Sequence, residues 1–225
     1  MSEEKSLAKL LQEKLFSEKK NGMLKLSDDE TAKVDEFCED YKHYLDNAKT
    51  EREAVNAAIE IAKANGFKEY DRSAKYTAGE KVYYNNRGKS VILCVFGTEP
   101  LENGVKISAA HIDSPRLDLK ANPVYESNDL CLLKTHYYGG IKKYQWATIP
   151  LALHGVIFKA DGTKVEVCIG EKDDDPVFMV TDLLPHLAQE QSKRTLSEGI
   201  KGEELNVLIG SRPFKDDDVS EKVKL

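Results

Sequence analysis

Leucines at 7, 10, 11 and 15 recur at helical spacing and predict a helix over residues 3–20, stopped by Lys20-Asn21-Gly22. Ser27 followed by Glu30 is a capping-box pattern, opening a second helix that runs to about Asn47 with Val34, Phe37, Tyr41 and Leu45 as its apolar stripe. Thr50 with Glu53 repeats the signal ahead of EREAVNAAIEIAKA, and Asn65-Gly66 closes that third helix. The period then changes. KVYYNNRGKSVILCVFG reads as a hairpin turning at Asn85-Asn86-Arg87-Gly88, its second strand running from Val91 to Phe96. GVKISAAHID reads as a further buried strand.

Beyond Pro115, short strand patterns follow closely: RLDLKANPVYE, LCLLKTHYYGG, and a hairpin of Leu151–Lys159 with Lys164–Ile169 turning at Asp161-Gly162. DDDPVFMVTDLLPHLAQEQ predicts one helix beginning near Val180, and ELNVLIGSRPF one more strand before KDDDVSEKVKL. A helical block followed by apolar strands is an α/β or α+β arrangement. These helices are too few to cover both faces of a parallel sheet, so the pattern reads as unfinished.

The 225 residues, 40% of them apolar, suffice for one large domain or two small ones. A net charge of −6 argues against nucleic acid or an anionic membrane as the main partner. Neither a signal-peptide core nor a run of membrane-spanning length is visible, so the expected location is cytoplasmic. Cys38, Cys94, Cys131 and Cys168 form no CxxC pair and read as reduced core residues.

The candidate chemistry sits in VKISAAHIDSPRLDLK, where a strand-like run ends in His111 and Asp113. Residues two apart on a strand share a face. A metal-binding histidine commonly gives its second ring N–H to a carboxylate, which fixes tautomer and orientation. The alternative is a loop start that happens to be polar. Zinc needs three or four donors, and no His-Glu-x-x-His motif supplies them. His43 reads as solvated on a helix and His154 as a satisfied core or edge histidine; the runs at 173–175 and 216–218 read as solvated turns. No Gly-x-Ser-x-Gly marks a serine nucleophile, and nothing marks a partner that would activate a cysteine. THYYGGIKKYQW gathers Tyr137, Tyr138, Tyr144 and Trp146 around Gly139-Gly140. Such a group suits an interface or ordinary strand packing.

Taken together, AAHIDSPRLDLK and KTHYYGGIKKYQWATIPLALHGVI resemble the aspartyl aminopeptidase / aminopeptidase I family of zinc metallopeptidases, particularly its bacterial members. TEREAVNAAIEIAKANGF, LLPHLAQEQ and NVLIGSRPF extend the resemblance over nearly the whole chain. It implies an α/β fold: a partial zinc-peptidase α/β sandwich over residues 1–117, followed at 118–225 by most of an inserted β-rich dimerisation domain. It also implies two zinc ions per complete active site, large homo-oligomers, and removal of N-terminal, often acidic, residues from peptides. The family's metal-ligating histidine falls on His111 and its ligand-orienting, catalytic aspartate on Asp113. A substrate-binding histidine that reaches the neighbouring subunit's site falls on His186, with His136 as the alternative match. Family proteins are about twice this length. Their bridging Asp, Glu-Glu pair, further Asp and late His follow the insert, beyond Leu225. The expectation is therefore an N-terminal half, lacking most metal ligands and inactive alone, or else a non-catalytic oligomerisation or interaction protein.

Overall fold

A computed structural model describes residues 6–17, 19–215, 218 and 223. Residues 3–5 and 18 of the expected first helix, and most of the acidic segment at 216–225, lie outside the described residues. The chain divides into two compact units, residues 1–46 and 47–225.

In the first unit, α1 spans Leu7–Leu15, and its N-cap Ser6 accepts a hydrogen bond from the Lys9 amide. α2 spans Asp28–Asp46. Its capping box is formed: the Glu30 amide donates to Ser27 Oγ, and the Ser27 amide to Glu30 Oε2. The expected apolar stripes are there in spacing, yet neither helix buries a residue, and Leu7 and Phe37 stay exposed.

The second unit starts with α3, Glu51–Ala64, opened by the Thr50–Glu53 capping box. Gly66 takes a left-handed φ of 82°, and the amides of Gly66 and Phe67 return to the carbonyls of Lys63 and Ala62, ending the helix as a Schellman motif. Val55 and Ile59 of α3 bury against Tyr83, with Phe67, Val91 and Ile112 packed around them. Tyr83 lies in a sheet ordered β1 (Lys68–Glu69), β2 (Lys81–Asn86), β3 (Ser90–Val95). The hairpin between β2 and β3 turns where expected: Arg87 and Gly88 are both left-handed, and Asn85 Oδ1 accepts from the Gly88 amide.

A second sheet is ordered β4 (Arg116–Ser127), β5 (Leu130–Tyr138), β9 (Val207–Gly210), β8 (Met179–Val180), all antiparallel. Its core joins Leu133, Ala147, Val180, Ile200, Leu205 and Val207, with Trp146 packed against it. The Asp161-Gly162 hairpin forms as read, pairing β6 (Leu153–Phe158) with β7 (Lys164–Ile169).

Three expectations give way. Residues 105–112 form no strand: among the described residues they join no ladder, and Val105 and Ile107 are 63% and 82% exposed. Apolar patterning favours an extended chain, but only a neighbouring edge makes it a strand. No helix begins near Val180, because Val180 pairs with Val207 as a strand residue. Downstream, Pro185 lacks the N–H an α-helix needs in its interior, and only single turns form. Of the four free cysteines only Cys131 is in the core; Cys38, Cys94 and Cys168 are exposed. Among the described residues no helix is long and apolar enough to cross a membrane.

Candidate metal-ligand corner and its supports

The segment carrying His111 and Asp113 is anchored by the residue between them. Ile112 packs against Val55, Ile59 and Tyr83, so in an extended chain its two neighbours turn away from that core. His111 is open, its side chain 85% exposed. Its Nδ1 lies 3.0 Å from the Asp113 carbonyl oxygen and 3.3 Å from Asp113 Oδ1. Both oxygens only accept, so a neutral imidazole carries its hydrogen on Nδ1. Nε2 is then left with its lone pair, the form in which a histidine ligates a metal.

Asp113 is held from its other side. Tyr138 Oη donates to Asp113 Oδ2 at 2.6 Å. That hydrogen bond above all, with help from His111, keeps the Asp113 carboxyl below the usual carboxylate range, and the same contact pushes the Tyr138 phenol up. The Arg116 guanidinium stands over the Tyr138 ring, 4.2 Å from its centroid. Arg116 Nε donates to Asp118 Oδ1 at 2.7 Å, and its Nη1 lies 3.8 Å from Glu51 Oε2 in the first turn of α3. Sequence reasoning missed Tyr138 and Arg116 as members of this group. The available signal was that Arg116 lies within VKISAAHIDSPRLDLK and Tyr138 within the aromatic group of THYYGGIKKYQW, both already singled out.

His186 sits in an exposed turn, and among the described residues no hydrogen bond or ion pair joins it to His111 or Asp113. His136 is exposed on β5 opposite Asp118, its ring stacked on Tyr137 at 5.7 Å. The aromatic group around Gly139-Gly140 divides its roles. Trp146 packs on the core, Tyr138 bonds Asp113, and Tyr137 and Tyr144 line an open cavity of about 600 Å³ with Lys143, Leu196 and Glu198.

His154 is the satisfied histidine the sequence suggested, and more. Its side chain is 12% exposed, with Nδ1 2.8 Å from Glu53 Oε1 and Nε2 2.8 Å from Glu171 Oε1. Burial alone pushes its pKa down, but the hydrogen bonds and charges of the two glutamates outweigh burial and raise it. Glu53 serves twice, since its Oε2 accepts from the Thr50 amide and hydroxyl.

No group of three or more His, Cys, Asp or Glu side chains that could hold a metal ion occurs among the described residues. His111 and Asp113 therefore fit one corner of a metal site, a single imidazole donor and the carboxylate that orients it, and not a closed coordination shell.

Residues 44–224 match the family model described as aminopeptidase I zinc metalloprotease, M18. A probable M18 family aminopeptidase 1 of Clostridium acetobutylicum is 52% identical over 214 residues, which cover 93% of this chain and 46% of that protein. The crystal structure of the M18 aminopeptidase from Thermotoga maritima superposes with a TM-score of 0.85 at 42% identity, over 93% of this chain and 45% of that one. Aminopeptidase I from Clostridium acetobutylicum gives a TM-score of 0.81 at 48% identity, over 93% and 47%. The chain thus spans about half the length of the relatives it matches, and its mixed α/β arrangement of several sheets is similar to theirs. The chain belongs to the aminopeptidase I family of zinc metalloproteases, M18.

Proposed function

We propose that this chain supplies the first metal-binding corner and the β-rich oligomerisation part of a zinc-dependent aminopeptidase that removes N-terminal, often acidic, residues from peptides in the cytoplasm. The observation that carries the reading is the placing of His111 Nδ1 against the carbonyl and carboxylate oxygens of Asp113, within a chain of this family. In this reading His111 Nε2 is a zinc ligand and Asp113 fixes its ring. The bound zinc, two ions in the complete site, would activate water and polarise the scissile carbonyl. The chain's own residues orient and hold: Asp113 keeps the His111 proton on Nδ1, and His186 contributes to substrate binding in a neighbouring subunit. Residues 1–117 form the peptidase part and 118–225 the β-rich dimerisation part.

One imidazole and one carboxylate hold zinc weakly, so the chain alone is proposed to be inactive. Calorimetric titration with zinc and a peptidase assay on an acidic aminoacyl substrate test this. The expected result is weak binding lost in His111→Ala, with no turnover. Tight stoichiometric zinc together with turnover would refute the incomplete-site claim.

A second reading, a non-catalytic interaction protein, is favoured by the exposed apolar residues of β3 and β6: Ile92, Val95, Ile157 and Phe158 are 56–61% exposed. Exposed apolar strands invite pairing. Light scattering on the purified chain decides it, and a monomer at all concentrations counts against self-association.

A further inference from the structure

We propose that Tyr138 is a positioning residue for the His111–Asp113 pair: its hydroxyl fixes the Asp113 carboxylate, and through it reinforces the Nδ1–H tautomer of His111 that the Asp113 carbonyl, 3.0 Å from Nδ1, also favours. This rests on the reading of His111 as a metal ligand only for its purpose, not for its geometry. An exposed carboxylate rotates freely about its last bond. That of Asp113 has one oxygen engaged by Tyr138 Oη at 2.6 Å, and the other is left 3.3 Å from His111 Nδ1. Tyr138 is itself seated. It closes β5 opposite Arg116, whose guanidinium covers its ring, and Arg116 is tied to Asp118 and faces Glu51. A chain of contacts thus runs from the α3 first turn to an imidazole whose Nδ1 also faces the Asp113 carbonyl at 3.0 Å and whose side chain is 85% exposed.

A simple staple, holding residues 111–115 to the end of β5, would use the same hydrogen bond without caring which nitrogen of His111 carries the proton. The two roles separate in the ring ¹⁵N shifts of His111, measured on the whole chain without metal by long-range ¹H–¹⁵N correlation above the histidine titration range.

In the wild type Nδ1 is expected to resonate as the protonated nitrogen and Nε2 as the bare one. Tyr138→Phe keeps the ring and its contact with Arg116, so the fold is retained. Without the hydroxyl the ratio of Nδ1–H to Nε2–H is expected to fall about five-fold, the loss of one ordinary hydrogen bond's worth of bias. Asp113→Asn is the second arm. Its amide oxygen still accepts from Tyr138, which turns the amide NH₂ toward His111 Nδ1 and lowers the preference for Nδ1–H, which the residue 113 carbonyl alone then favours. Part of that preference is expected to return when Asp113→Asn is combined with Tyr138→Phe. An unchanged tautomer ratio in Tyr138→Phe overturns the proposal, as does an Asp113→Asn change indifferent to Tyr138. Zinc added to the wild type tests the underlying function separately: His111 resonances blind to zinc would defeat the metal-ligand reading while leaving the tautomer result standing.

Discussion

His154 offers the sharpest test of how the second unit is held together. Both ring nitrogens face carboxylate oxygens at 2.8 Å, and carboxylates only accept, so the ring is an imidazolium donating to Glu53 and Glu171. It ties the first turn of α3 to β6 and to the residues just after β7. A hydrogen bond to a charged group contributes roughly 1.5–3 kcal/mol. Glu53 and Glu171 are 32% and 41% exposed, so solvent screening cuts the pair to about 2 kcal/mol in total. His154→Gln carries both of its N–H donors on one nitrogen and leaves the two carboxylates without a cation between them. It should lower stability by about 2 kcal/mol near pH 6, or roughly 4–8 °C in Tm. Because the folded pKa of His154 lies above its ordinary 6.5, the folded chain holds a proton that the unfolded chain releases first. The stabilisation is therefore complete below about pH 6.5 and fades as pH rises through the folded pKa. Urea unfolding of wild type and His154→Gln, followed by Trp146 fluorescence from pH 6 to 9, should show the gap closing as pH rises. A gap below about 0.5 kcal/mol at pH 6, or one that does not shrink by pH 9, refutes the clasp.

Three further outcomes follow from buried or capping groups. Thr135 is 2% exposed and its hydroxyl donates to the Leu205 carbonyl; Thr135→Val strands that carbonyl and should cost about 1–3 kcal/mol in chemical denaturation. Leu205 is fully buried in the core of the second sheet, so Leu205→Ala should cost about 2–5 kcal/mol, and its effect should not add simply to that of Thr135→Val because the two residues touch. Thr50→Ala removes the α3 N-cap and one partner of Glu53; a loss of about 1 kcal/mol is expected, read as faster amide exchange in the first turn of α3.

What the sequence made legible was local. The two capping boxes at Ser27 and Thr50, the left-handed stop at Gly66 and the turns at Arg87-Gly88 and Asp161-Gly162 are each decided within a few residues, and each forms as read. What stayed hidden depends on a distant partner. Residues 105–112 have a strand's pattern and no edge to join, while Val180 sits in a helical-looking run and is claimed by Val207. The candidate site divides the same way. His111 and Asp113 are two residues apart and readable, but Tyr138 is 25 residues from Asp113, and Glu53 is 101 from His154.

The meeting of Tyr138 with Asp113 depends on a defect in the β4–β5 ladder. Near their turn the strands pair Val124 with Leu133, and at the far end Arg116 with Tyr138, with a register shift between Leu119 and Val124. Pro123 lies in that shift and has no N–H to give to a ladder. Carried on unshifted, the first register would set Tyr138 opposite Leu119. A displacement by an odd number of residues exchanges the faces of a strand. The bulge thus lets β4 bring Arg116 under the Tyr138 ring while Ser114 and Pro115 lead the chain back to Asp113. A proline within a strand pattern is part of what aims a tyrosine at the carboxylate beside the candidate metal ligand.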